Sequence, residues 1–396
     1  MKRTLLLIFS ALSVSGFAQW TFKAPMAVNT GQEGVVAHPN GNIYVFGGFA
    51  LGPAYNTLYI YNEATDTWTT GANLPAVTRG PSYCLGPDSC IYCFGGFDPG
   101  ELNAVYKYNP TTNTWTTLAA MPNACWYSAA AKAPNGKIYV MGGESADAMV
   151  QVYDPALNTW STGANIPVPV KEHAAVCAPD GKIYVIGGLS GSAINNVQIY
   201  DPVANSWSTG APMPTPRNEF AYVLAWDGRI YCIGGKTSGG NNSTPFYTVV
   251  EIYDPAANSW TTGPILPKGL GETAGAGINY GINVFAGADS TGQYSKWNLR
   301  LTLSATGTEE NALEGSFIAY PNPATDKLTL GFGPALDYEG SITITDLTGK
   351  VVYTHECANL GAEQGTVIDV HALDRGFYVL TCVTAHGTLS RKIVLN

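Results

Sequence analysis

Charge is scarce in this chain of 396 residues. Only 12% of it is Asp, Glu, Lys or Arg, and the acids outnumber the bases 29 to 20, for a formal charge of −9. A chain of that sign has no electrostatic pull toward nucleic acid or an anionic membrane surface. Histidine is rare, with five copies. The eight cysteines (84, 90, 93, 125, 177, 232, 357, 382) show no metal-finger spacing. Cys90-x-x-Cys93 lies in a predicted strand, whereas redox pairs sit at a helix N-terminus, so redox chemistry is set aside. No helical periodicity appears. No Gly-rich phosphate loop, zinc motif or hydrolase nucleophile elbow is present. No cofactor and no metal are expected.

Long apolar runs are also lacking. The nearest is TLLLIFSALSV, after Lys2-Arg3 and before the small residues Gly16 and Ala18. It is too short to span a bilayer and reads as a secretory signal peptide over residues 1–18. No transmembrane segment is expected in the mature chain. Export permits disulfides without requiring them.

Glycine (45), Tyr (23) and Trp (9) are plentiful, and they recur in order. Five units carry Gly-Gly after a β-rich run: NIYVFGG, CIYCFGG, KIYVMGG, KIYVIGG and RIYCIGG. A sixth reads GINVFAG. After each of the five come YNEATDTW, YNPTTNTW, YDPALNTW, YDPVANSW and YDPAANSW. The Trp residues 20, 68, 115, 160, 207 and 260 stand 45 to 53 residues apart. Each unit reads as four short strands: a small-residue strand, an Asn-Gly or Asp-Gly hairpin, the Gly-Gly strand, a strand ending in Tyr, and one beginning at Trp. Such units repeated around an axis make a β-propeller. The buried rings are each worth roughly 2–3 kcal/mol.

Gly-Gly, Tyr and Trp at this period resemble the kelch repeat, over residues 20 to about 303. The sixth unit lacks its fourth strand, and the segment at Trp20 supplies it from the front. The expected fold is therefore all-β: a six-bladed kelch propeller over 19–303, closed by an N-terminal strand.

A polar linker is expected over 304–316 and a small β-sandwich over 317–396. Tyr320-Pro321-Asn322-Pro323, Asp346-Leu347-Thr348-Gly349-Lys350, Leu373 with Gly376-Phe377-Tyr378, and Arg391-Lys392-Ile393-Val394 resemble the C-terminal sorting domain of the Bacteroidetes-type type IX secretion system. That resemblance implies a partner in the secretion machinery and a secreted or cell-surface location.

Aligning the units on their hairpins places Gln32, Gly80, Tyr127, Glu172, Glu219 and Glu272 in one register on the axial face, preceded by Arg79, Trp126, Lys171, Arg217 and Asn218. Arg suits a carboxylate, Trp or Tyr a sugar face, and Glu sugar hydroxyls. Arg79 and Arg217, on opposite blades, are expected to approach one ligand from two sides. His173 is expected between blades and hydrogen-bonded. The loop KTSGGNNSTPFY of blade five is a candidate lid. Cys84 with Cys93, and Cys357 with Cys382, are candidate disulfides.

A monomeric exported binding protein for a glycan or protein ligand is one expectation. The other is a sugar-acid mutarotase similar to the kelch N-acetylneuraminate epimerases, with Glu219 as acid/base and Arg217 or Arg79 as clamp. Copper chemistry of the galactose oxidase kind needs two His and two Tyr around one metal, which this propeller lacks.

Overall fold

The computed structural model describes residues 20–237, 246–279 and 281–303, and in the tail 317–320, 324–332, 340–346, 350–357, 366–384 and 387–395. The expected signal peptide, the linker 304–316 and most of the blade-five loop lie outside the described residues.

The chain forms two compact units, Met1–Ser304 and Ala305–Asn396. The first contains six four-stranded antiparallel sheets. Blade 1 runs Gly31–Ala37, Asn42–Phe49, Leu58–Asn62 and Thr67–Thr70 from the axis outward. Blades 2 to 5 repeat it over 82–117, 129–162, 174–209 and 221–262. Blade 6 comprises Ala274–Ile278, Gly281–Phe285, Asn298–Thr302 and, outermost, Trp20–Phe22. Trp20 pairs with Leu301 and Phe22 with Leu299. The ring is thus closed by the strand read in the sequence as displaced.

The repeat motif explains how each blade grips the next. In YDPALNTW the Tyr153 hydroxyl donates to Asn158 Oδ1 at 2.7 Å. The same oxygen accepts the Ala119 amide at 2.9 Å, and Trp160 Nε1 donates to the Ala119 carbonyl at 2.9 Å. One residue of the preceding loop is therefore held at both its N–H and its C=O. The clamp recurs with Asp66 and Trp68 on Ala24, and with Asn113 and Trp115 on Ala72. It recurs again on Ala164 and Ala211. Asp66, Asn113, Asn158, Asn205 and Asn258 all have φ near +50°. Short Asn and Asp side chains tolerate that conformation best after Gly. Each Tyr packs its ring 4.9–5.0 Å from its Trp.

The second unit has a three-stranded sheet, ordered Phe317–Tyr320, Lys327–Phe332, Thr366–Asp369. Its four-stranded sheet is ordered Val351–Cys357, Gly340–Asp346, Gly376–Thr384, Gly387–Leu395. Leu328, Leu330 and Ile368 from one sheet meet Ile342, Ile344, Leu380 and Ile393 from the other in a single core. The expected sandwich is therefore present. No helix among the described residues is long and apolar enough to cross a membrane.

The blade clamp predicts an order of stabilities. Asn158→Ala loses both hydrogen bonds and forces φ +54° on a Cβ residue, and should cost roughly 2–4 kcal/mol. Asn158→Gly loses the bonds but relieves the backbone, and should cost roughly 1–2 kcal/mol. Urea midpoints of the two variants check this; equal losses would mean the backbone conformation carries no strain.

Candidate functional site

The register read from the sequence is a physical ring. Each of the six amides donates to the carbonyl of its counterpart in the preceding blade. The bonds run Gly80 to Gln32 (2.8 Å), Tyr127 to Gly80 (3.1 Å), Glu172 to Tyr127 (2.8 Å), Glu219 to Glu172 (3.1 Å), Glu272 to Glu219 (2.9 Å) and Gln32 to Glu272 (3.0 Å). All six residues have φ between +50° and +57°. Only one of them is glycine. Five side chains therefore sit in a conformation that L residues rarely adopt, and strain of this kind clusters at functional sites.

Blades 4 to 6 make an acidic half. Lys236 Nζ lies 2.5 Å from Glu219 Oε2 and 3.3 Å from Glu272 Oε1. Its side chain is 5% exposed, and those of the two carboxylates 6% and 8%. Glu272 Oε2 also accepts Gln32 Nε2 at 2.8 Å and the Tyr294 hydroxyl at 2.7 Å. Asn218 Nδ2 donates to Glu172 Oε2. Burial first, and then the charges of Glu172 and Glu272, hold the Glu219 carboxyl well above the usual range, against the pull of Lys236. Burial also raises Glu172, opposed by Asn218 and Lys236. Burial alone would depress the Lys236 ammonium, but Glu219 and Glu272 outweigh it and raise its pKa.

Blades 1 to 3 make an aromatic half. The Arg79 guanidinium lies over Phe49 (4.5 Å), Phe97 (5.0 Å) and Trp126 (5.5 Å). Trp126 stacks on Tyr127 with ring centroids 4.0 Å apart. Among the described residues no carboxylate forms an ion pair with Arg79. Tyr127 joins the two halves. Its phenol is raised well above its ordinary value by burial, then by Glu219, Glu272 and Glu172, with Arg79 opposing.

Arg217 does not join this site. It lies two residues before the ring, in the register of Thr30, Thr78, Cys125, Val170 and Leu270, all core positions. Its side chain is fully buried, ion-paired with Glu251, and donates to the Cys232 carbonyl at 2.9 Å. Glu251 in turn anchors Thr215 Oγ1 at 2.7 Å. Arg217 is a structural cation, and the two-sided clamp reduces to Arg79. Lys171 is ion-paired with Glu144 on the rim. His173 lies between blades, against Gly142, but neither ring nitrogen has a hydrogen-bond partner. Burial depresses it to about 3, so it is neutral.

Cys84 pairs across its hairpin with Tyr92, and Cys93 with Tyr83. The two cysteines are one register step apart, and both are free thiols. The side chain of Cys357 lies outside the described residues. No three His, Cys, Asp or Glu among the described residues are placed to hold one metal ion.

Three site residues escaped the sequence reading: Phe49, Phe97 and Lys236. Each directly follows a Gly-Gly pair. That register also holds Glu144, Leu189 and Ala288, and it lies opposite the residues preceding the ring, as in the bridges Arg79–Phe97, Lys171–Leu189 and Asn218–Lys236. The signal was available in the position after Gly-Gly.

Six blades, five of their junctions held by the Asn or Asp clamp, and a closed axial ring define a six-bladed propeller. Residues 12–143 and 119–277 match the KLHDC2/KLHL20/DRC7 Kelch-repeats domain, and the chain belongs to the kelch-repeat family. Residues 318–396 match the secretion system C-terminal sorting domain, which makes this a type IX secretion cargo with a secreted or cell-surface location. Among solved structures, that of YjhT is similar, with a TM-score of 0.60 and 20% identity over 72% of this chain and 99% of that one. At that identity the likeness shows the fold. No curated protein matches the chain.

Glu33 follows the ring residue of blade 1. It is 3% exposed, and neither carboxyl oxygen has a hydrogen-bond partner. Burial, and to a lesser degree the Glu272 charge, push it up to about 8. A carboxyl raised on folding stabilises fully below its unfolded value near 4.5 and loses that contribution as pH rises toward 8. Wild type should therefore lose roughly 2–4 kcal/mol relative to Glu33→Gln between pH 5 and pH 8. Paired urea titrations at the two pH values measure it, and parallel pH profiles would place the Glu33 carboxyl in water.

Proposed function

We propose that this exported kelch propeller is a binding protein for an acidic glycan, taken up on its axial face. The observation that carries the reading is Arg79. Its guanidinium is framed by Phe49, Phe97 and Trp126 and engaged by no carboxylate of the described chain. A cation held among aromatic faces is a receptor for a carboxylate attached to a ring with an apolar face. The acids across the ring suit sugar hydroxyls, and Gln32, Asn218 and Lys236 orient those acids. The leader over 1–18 and the sorting tail fit an extracellular encounter with such a ligand. Lys171, beside Glu144, borders the site.

One observation favours catalysis as a second reading. The Glu219 carboxyl is raised well above the usual range beside Lys236 and near Tyr127. A carboxyl raised in this way can give and take the proton needed for sugar ring opening. That would make the protein a sugar-acid mutarotase, with Arg79 as the clamp.

Ligand-observed NMR separates these readings. The probes are N-acetylneuraminic acid and galacturonic acid, with galactose as the neutral control, added to the purified chain. We expect an acidic sugar to bind and galactose not to, with Arg79→Gln weakening binding at least tenfold. Accelerated anomer exchange in the same spectra, abolished in Glu219→Gln, establishes the mutarotase. Absence of binding by either acid overturns the glycan reading and points to a protein ligand.

A further inference from the structure

We propose that the acidic half of the axial site receives a protonated amine, so that the ligand is an amino sugar that also carries an acidic group. The inference rests on the axial face being the ligand site, and it names the ligand more narrowly.

The first argument is a count of donors and acceptors. Two buried amide oxygens at the ring have no hydrogen-bond partner: Gln32 Oε1 and Asn218 Oδ1. Both are acceptors. The amide groups of Gln32 and Asn218 cannot turn to satisfy themselves, because their NH₂ ends are engaged by Glu272 and Glu172. Buried polar groups in folded proteins are nearly always paired, so a concentration of unpaired acceptors is unusual and calls for a donor-rich guest. Asn218 is fully buried and its side chain is joined to the acidic cluster, so its free oxygen is part of that cluster.

The second argument is charge. Glu172, Glu219 and Glu272 are three carboxyls on consecutive blades of the ring, and Lys236 is the cation beside Glu219 and Glu272. Lys171 is committed to Glu144. Burial, and for Glu219 also the charges of Glu172 and Glu272, raise the carboxyls of Glu172 and Glu219. A ligand cation would offset these charges.

The chemistry of the guest follows from these two counts. A single metal ion does not fit, because no three of these acids are placed around one point. A sugar hydroxyl supplies one donor and no charge. An N-acyl amide supplies one donor and brings a carbonyl oxygen among carboxylates. An ammonium supplies three donors and a full positive charge. Arg79, on the far side of the ring, takes the acidic group, so the two charges of the ligand lie along the aromatic-to-acidic direction of the site.

The test uses muramic acid, which has a free amine and a carboxylate, and N-acetylmuramic acid, which keeps only the carboxylate. Both are titrated into the full chain by ligand-observed NMR at pH 7 and pH 5. The expected result is at least a tenfold preference for the free amine at pH 7. That preference should shrink several-fold at pH 5, where the raised carboxyls of Glu172 and Glu219 take up more protons than at pH 7. Glu172→Gln should remove most of the preference. Arg79→Gln should weaken both sugars alike and leave their ratio unchanged. Equal or tighter binding of the N-acetyl sugar at pH 7 overturns the amine assignment and leaves the acidic-glycan reading standing. Binding of neither sugar overturns both. A preference that survives in both Glu172→Gln and Glu219→Gln places the amine elsewhere and overturns the proposal.

Discussion

Six backbone hydrogen bonds running in a circle are the constraint on which the rest of this propeller depends. Each joins the amide of one ring residue to the carbonyl of the one before, from Gln32 round to Glu272 and back. The bonds need no particular side chain. They need only a backbone with φ near +55°, which Gly80 meets without strain and the other five meet against it. The circle thus fixes six Cα positions and leaves five side chains free to differ. An evenly repeated scaffold can then carry an uneven site: Arg79 among aromatic rings on one side, Glu172, Glu219, Glu272 and Lys236 on the other.

The outer clamp works in the opposite way. There the side chains are fixed and the backbone follows. Tyr, Asn or Asp, and Trp are required together, since one oxygen accepts from both the Tyr hydroxyl and the preceding loop's amide. This division of labour explains why the repeat is so regular at its rim and so irregular at its axis. Residues that hold the blades together recur; residues at the ring vary with the chemistry each blade contributes.

That division also decides what could be read beforehand. The blade count, the borrowed strand at Trp20 and the ring register were legible, because hairpin turns and Trp spacing repeat with the backbone. The tail sandwich was legible from its alternating strands and its motifs. Arg217 misled because a charged residue two positions before the ring register was assumed to face the axis. In the other blades that register holds Thr, Cys, Val and Leu, an apolar set that marks the core, and Arg217 is tolerated there through Glu251. The cysteines of blade 2 misled by one register step, which in a strand reverses the face. Lys236 was passed over because it opens a variable loop, although its place after Gly-Gly is as fixed as the ring itself.

The borrowed strand has a consequence for survival outside the cell. Trp20–Phe22 is zipped to Asn298–Thr302, so the propeller has no terminal blade from which unravelling can start. A protease that cuts one inter-blade loop leaves both fragments bound to neighbours on either side, and the nicked ring stays assembled as a two-chain body. Endurance toward extracellular proteolysis is therefore set by how the circle is closed, and a single cut need not unmake the axial face.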